Sequence, residues 1–217
     1  MSKSMGEAIH QSAKLLSQAG KEINALMDMI QAEVNSEIEQ NQLGCDAQVH
    51  GNWYEESNLD DSTFLFNLYA IVLPIKKGKR KQSAQSYINI QVSLDSDGMT
   101  HPQANNLEPL AHISLWNVPT NIAEDEYMSL DLVEDTELEI QDNFLVSWGT
   151  DAEDWTDQCW TYSLKLTSLN SPEDVRNKII IPFSQLMKTN NPIAAGLDKI
   201  EGIIRYEEIT PRLLKVI

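Results

Sequence analysis

The sequence predicts an α+β fold, in which a long N-terminal helix precedes a mainly antiparallel sheet and short C-terminal helices. Residues 4–43 contain no proline and are rich in strong helix formers. Several later runs alternate between apolar and polar residues, as half-buried strands do. Ser171 followed by Pro172 and two acids is a typical helix start. A chain of 217 residues fits one domain, or one domain with an appendage, and we divide it into a helical segment (1–44) and an acidic α+β domain (45–217).

The leading helix has a regular apolar stripe, because Ile9, Leu16, Ile23 and Ile30 recur every seven residues. Gly20 interrupts it at a cost of about 1 kcal/mol relative to alanine, so we expect a break or bend there. Gly44 is the expected C-cap.

The length of this helix leaves two arrangements open. Forty helical residues span about 60 Å, whereas the rest of the chain would form a globule roughly 40 Å across. Either the helix lies on its own sheet with a bend near Gly20, or its first half packs on another chain. A homo-oligomer formed through residues 5–43 is therefore one expectation.

Residues 46–62 are polar and predict a loop, with Trp53 packed onto the domain. Residues 63–75 are almost continuously apolar, which predicts a central strand ended by Pro74. Residues 86–94 alternate cleanly and predict its hairpin partner. The tip of this hairpin, Lys76 to Lys81, holds five of the sixteen basic residues.

Further strands are predicted at 110–116, 137–141, 143–148, 159–169 and 202–209. In the fourth of these, alternate residues from Trp160 onward point inward. His112 falls on a polar face, where a single histidine is expected to be a bystander. After Ser171 a helix is predicted to run to Ile181, where Pro182 enforces a break.

The charge of the chain is concentrated in its centre. The net charge is −17, and residues 82–164 hold sixteen acids with no lysine or arginine. Such a charge repels nucleic acid and anionic membranes and favours a cationic partner. We therefore expect a basic protein or protein complex as partner, with no direct nucleic-acid or membrane binding.

Motifs for catalysis are absent from the sequence. It contains no GxGxxG, GxxxxGK[ST], GxSxG or HExxH pattern, and its four histidines and two cysteines are dispersed. We expect no enzymatic activity, no cofactor and no metal site. A metal-dependent enzyme with a carboxylate site is the catalytic alternative, since sixteen acids could supply a pair.

The leading hypothesis is a non-catalytic acidic binding protein, acting as an inhibitor, a chaperone or a subunit of a complex. Carboxylates spaced like duplex phosphates would make it a DNA mimic. Four tryptophans lie in or beside the acidic region, and we expect Trp155 to be the contact residue. The predicted partner-binding residues are Glu124, Asp125, Glu126, Asp131, Glu134, Asp135, Glu137, Glu139, Asp151, Glu153, Asp154, Trp155 and Asp157.

The alternative of another class is a structural subunit that assembles through its N-terminal helix, with acidity serving solubility alone. Cys45 and Cys159 are far apart in sequence and are expected to be ordinary thiols. No window approaches the ~18 apolar residues of a membrane span, and residues 1–16 lack a signal-peptide core. These features predict a cytoplasmic protein.

Overall fold

The computed structural model describes residues 4–44, 46–60, 65–76, 86–94, 108–117, 119, 138–149, 159–210 and 213–217. The helices are α1 (Met5–Glu39), α2 (Pro172–Val175) and α3 (Ile181–Thr189), with a π turn, Arg176–Ile180, between the last two. The strands are β1 (Gln48–Val49), β2 (Tyr54–Asp60), β3 (Leu65–Lys76), β4 (Ser86–Ser93), β5 (Leu110–Trp116), β6 (Leu138–Gln141), β7 (Leu145–Trp148), β8 (Cys159–Lys165), β9 (Tyr206–Thr210) and β10 (Leu213–Val216). This arrangement confirms the predicted α+β class.

In the described part of the chain, eight strands form one antiparallel sheet. Its order is β1-β3-β4-β5-β8-β7-β6, and β2 pairs with β3 beside β1. A second sheet consists of the hairpin β9–β10. The region predicted as a loop at 46–62 therefore contains β1 and β2. The error has a physical cause, since β2 is an edge strand in which acids such as the exposed Glu55 interrupt the apolar alternation.

Helix α1 is one continuous helix that begins at a capping box. Ser4 Oγ accepts from the Glu7 backbone N–H, and the Glu7 carboxylate accepts from the Ser4 N–H. The helix continues through Gly20 without a break. It ends at Glu39 with Gln40 as C-cap, so the prediction of Gly44 as C-cap is wrong.

One face of the sheet packs on the helices. Met27, Ile30 and Val34 of α1 share a core with Ile90 and Trp160 of the sheet, and α3 joins the same core. Trp160, Tyr162 and Leu164 face this core, as predicted. Arg176 ties the two helical segments together, since it lies 3.2 Å from the carboxylates of Glu33 and Glu37 of α1.

Pro182 does not break the C-terminal helix, contrary to prediction. A proline there cannot donate to the carbonyl of Lys178, four residues earlier. The buried Tyr162 hydroxyl lies 3.2 Å from that carbonyl and 3.2 Å from the Ile179 carbonyl, and donates to them instead. The wider π turn ends just before Pro182, so the chain stays helical to Thr189.

Pro74 does not end its strand either, because β3 continues to Lys76. The Pro74 carbonyl accepts from His50 N–H, on the β1 side of β3. In an antiparallel ladder the nitrogen of a residue points to the same side as its carbonyl. The missing N–H therefore costs no hydrogen bond to β4, where Pro74 lies opposite Tyr87.

Among the described residues, no helix combines the length and the apolar character that crossing a bilayer requires.

Candidate functional site

Most of the predicted partner-binding residues lie outside the described residues. The exception is Glu139, which is exposed on β6 opposite Ser147 of β7. The other twelve are Glu124, Asp125, Glu126, Asp131, Glu134, Asp135, Glu137, Asp151, Glu153, Asp154, Trp155 and Asp157. The cationic hairpin tip from residue 77 to residue 81 also lies outside, and so does Cys45. What the structure shows is where the segments that carry these residues are attached.

Both acidic connections are attached to the same end of the sheet. Trp116 at the end of β5 pairs with Tyr87 at the start of β4, and its neighbour on β5 pairs with β8 close to Cys159. Cys159 pairs with Trp148, which pairs with Leu138. The connections 117–137 and 149–158 hold eleven acids between them. We call this end of the sheet, defined by Trp116, Leu138, Trp148 and Cys159, the acidic end.

The cationic hairpin is attached to the acidic end as well. β3 ends at Lys76, and Ile75 pairs with Ser86 at the start of β4. β4 is next to β5, so the tip is attached to β3 and β4 about one or two strand spacings from the point on β5 where the connection 117–137 starts, at about 4.8 Å per strand. Eleven acids and five basic residues thus belong to segments that start and finish at this end.

Buried aromatic side chains stiffen the acidic end. Trp116 and Trp148 form an edge-to-face pair with ring centroids 5.4 Å apart. Next to them, the thiol of Cys159 lies 3.1 Å from Oδ1 of Asn117, and its sulfur accepts from the Asn117 backbone N–H. Trp116, Trp148 and Trp160 are at most 2% exposed. These three tryptophans belong to the interior and cannot serve as contact residues.

The second face of the sheet carries a row of buried polar side chains. His112 and Ser114 of β5 lie beside Ser163 and Thr161 of β8, and all four are fully buried. The Nδ1 atom of His112 is 2.7 Å from Ser163 Oγ. Burial lowers the pKa of His112 to about 3, so its imidazole is neutral. Tyr206 lies on the same face, and burial raises its pKa while the Ser163 hydroxyl offsets part of the shift.

His112 therefore lies on the polar face of its strand, as the alternation predicts, and this face is buried. A serine and a histidine at this distance have the geometry of an activated hydroxyl. Nucleophilic catalysis also requires contact with a substrate, and both side chains have no solvent exposure. In this conformation the pair is an interior contact between β5 and β8, made through Nδ1 of His112, while Nε2 is buried without a hydrogen-bond partner among the described residues.

A groove lies at the opposite end of the sheet, between α1 and strands β2, β3 and β4. Its volume is about 550 Å³. The charged side chains in its wall are the acids Asp28 and Glu55, and burial together with Glu55 raises the pKa of Tyr69, which lies between helix and sheet. The apolar wall residues include Leu16, Ile23, Met27, Val92 and Leu94. The sequence signal for this feature is Gly20 in a long helix, which predicts a bend that the structure does not contain.

Within the described ranges, no three side chains of His, Cys, Asp or Glu are grouped as metal ligands would be. No protein-family model, no curated protein and no solved structure matched this chain. The class defined by the coordinates is thus an α+β protein with an eight-stranded antiparallel sheet in its described part and helices on one face.

Proposed function

We propose that this protein is a non-catalytic binding protein that docks a basic protein partner at the acidic end of its sheet. The observation that carries the proposal is the attachment of both acidic connections to one end, through Trp116, Leu138, Trp148 and Cys159. Eleven carboxylates against the five basic residues of the hairpin tip leave a net charge of 5 − 11 = −6 on the segments tethered to this end. Such an excess favours association with a cationic surface.

The interior of the acidic end suits a docking platform. Recognition loops are most effective on a rigid scaffold. The strand ends here are held by the Trp116–Trp148 pair and by the contacts between Cys159 and Asn117. Because these tryptophans are buried, the partner's contacts must come from the connections themselves, and Trp155 remains the predicted aromatic contact.

Whether the carboxylates follow the spacing of duplex phosphates stays a prediction, since those side chains lie outside the described residues. The narrower roles of inhibitor, chaperone or complex subunit, and a cytoplasmic location, are likewise part of the proposal. Each of them requires the same chemistry, a cationic protein surface facing the acidic end.

The test is the association rate of a partner captured from native extract and then purified. In one variant Glu134, Asp135 and Glu137 are all changed to lysine. In the control variant Asp198, Glu201 and Glu207, which are exposed and distant in sequence, are changed in the same way. Both variants change the net charge by +6, so they differ only in where the charge is placed.

We expect the association rate constant to fall at least tenfold in the first variant, and much less in the control, because steering depends on local potential. Binding should also weaken steeply as salt is raised from about 0.05 to 0.5 M. Glu33 is unsuitable as a control, because it pairs with Arg176. Equal rate losses in the two variants would refute the placement of the site.

A further inference from the structure

The N-terminal half of α1 is largely exposed to solvent. Every residue from 4 to 18 is exposed, and the first fully buried side chain of the helix is Met27. The exposed part includes large apolar side chains, with Met5 at 81%, Ile9 at 64% and Leu16 at 43% exposure. Fourteen residues extend the helix by about 21 Å.

The exposed side chains continue the stripe by which α1 packs on its own sheet. Along the seven-residue series, Ile9 and Leu16 are exposed, Ile23 is partly buried and Ile30 is fully buried. The same apolar stripe is therefore buried in the core at its C-terminal end and exposed to solvent at its N-terminal end. A helical segment of this length is marginal in water unless its apolar face is packed.

Space for a packing partner exists beside Gly20. A Cβ added at Gly20 would meet nothing within 4 Å, so the contacts of the single chain do not explain a residue that costs about 1 kcal/mol in a helix. The groove of about 550 Å³ opens at the same place, with Leu16 and Ile23 on its helical wall. A second helix can approach closely at such a position.

The geometry points to a second copy of this chain as the occupant, with the N-terminal halves of two α1 helices packed antiparallel about a two-fold axis near Leu16. Charge is compatible with this choice. The exposed residues 4–18 carry Glu7 and Lys14 and are net neutral on a chain of −17. The charged groups of the groove wall are Asp28 and Glu55. The exposed helix half thus adds no net negative charge to the acids of the groove, and it matches the groove in apolar character.

The same chain cannot satisfy this complementarity alone. Residues 5–18 and the groove wall from Leu16 to Gln31 belong to one continuous helix, so the segment cannot fold back onto its own groove. A surface that carries both a protruding stripe and its complementary groove is what a two-fold interface requires. The acidic end is at the other end of the sheet and stays available for its partner.

The two-fold axis sets a register that can be tested. Residues 9 and 23 are equally distant from Leu16, so Ile9 of one copy lies opposite Ile23 of the other. Residues 4 and 28 are also equidistant, which brings Asp28 of one copy to the helix N-terminus at Ser4 of the other. An acid at that position interacts favourably with the helix dipole.

The experiment is sedimentation velocity of the full chain at micromolar concentration, on wild type, Ile9→Glu and Leu16→Glu. The matched control is Gln18→Glu, which adds the same charge on the opposite side of the exposed helix. We expect wild type and control at twice the chain mass of 24.5 kDa. Both stripe variants should have half that mass and an unchanged far-ultraviolet circular dichroism spectrum.

Register is tested by disulfide trapping, with wild type as the blank for native thiols. A mixture of Ile9→Cys and Ile23→Cys copies should give a disulfide-linked dimer, whereas Ile9→Cys alone should not. Added salt should strengthen this association, because two chains of −17 repel each other. Partner binding at the acidic end should weaken under the same change, so the two proposals fail independently.

A wild-type protein that stays monomeric would overturn this inference. A dimer that persists in both Ile9→Glu and Leu16→Glu would overturn the surface, and efficient trapping of Ile9→Cys with itself would overturn the antiparallel register.

Discussion

The buried imidazole of His112 makes fold stability depend on pH in a way that can be calculated. Its pKa is about 3 in the folded chain and about 6.5 when exposed in the unfolded chain. The unfolded state therefore binds a proton at a pH where the folded state does not. The resulting stabilisation is fully present above pH 6.5 and is lost as the pH falls towards 3.

The size of this loss depends only on the pKa of His112 in the unfolded state, provided that its pKa in the folded state is well below the pH of the measurement. Each unit below 6.5 costs about 1.4 kcal/mol, so the two units down to about pH 4.5 cost about 2.7 kcal/mol. Asp174, whose pKa is lowered to about 2 by hydrogen bonds from Lys178 and Ser171, adds a loss in the same direction below its ordinary pKa of 3.8. That loss is the same in any His112 variant.

The assay is urea unfolding at about pH 7.5 and pH 4.5 of wild type, His112→Gln and His10→Gln. Glutamine keeps a polar atom near Ser163 Oγ but does not titrate. We expect the loss of unfolding free energy between the two pH values to be smaller by about 2–3 kcal/mol in His112→Gln. His10 is exposed on α1 and serves as the control, in which the loss should be unchanged. If His112→Gln loses as much stability as wild type, the imidazole is not buried in its neutral form.

Two further predictions concern backbone positions. Tyr162→Phe should lower the free energy of unfolding, measured in urea, by about 1–3 kcal/mol. The loss should be smaller in a Pro182→Ala background, because the alanine N–H can donate to the Lys178 carbonyl. An equal loss in both backgrounds would contradict this role of the Tyr162 hydroxyl. In thermal unfolding, Gly44→Ala should lower stability more than Gly196→Ala. Both glycines have a positive φ (103° and 79°), but only at Gly44 would an added Cβ meet other heavy atoms, the closest at 3.1 Å. Equal losses would show that the contact at Gly44 is relieved without strain.

The main elements were predictable because their periodicity is local. The stripe of α1 follows directly from which face is buried. The alternation in β4 and β8 separates the apolar face that packs on the helices from a polar face that is buried as well. The Ser171 cap was predictable for the same reason, since its hydroxyl accepts from the Asp174 N–H three residues later.

The errors arose where a distant group changed a local rule. Pro182 is a helix breaker by its own chemistry, but Tyr162 supplies the donor that it lacks. Pro74 is a strand breaker, but its nitrogen points away from β4. Neither partner can be identified from the residues next to the proline, because both depend on tertiary packing.

The candidate site was predictable in charge but not in geometry. Composition alone placed sixteen acids in the central region. Their attachment to one end of the sheet depends on the order β5-β8-β7-β6, which brings Trp116, Leu138 and Trp148 to one end. Strand order is a long-range property, and alternation along one strand does not encode it. The same holds for His112, whose burial depends on what covers the second face.

Amide hydrogen exchange with and without the purified partner shows whether a basic partner binds at the acidic end. Binding there should slow exchange in peptides covering residues 117–137 and 149–158 and leave peptides from α1 between Met5 and Gly20 unchanged. Protection confined to that half of α1, or spread evenly over the chain, would place the partner elsewhere and refute the proposed site.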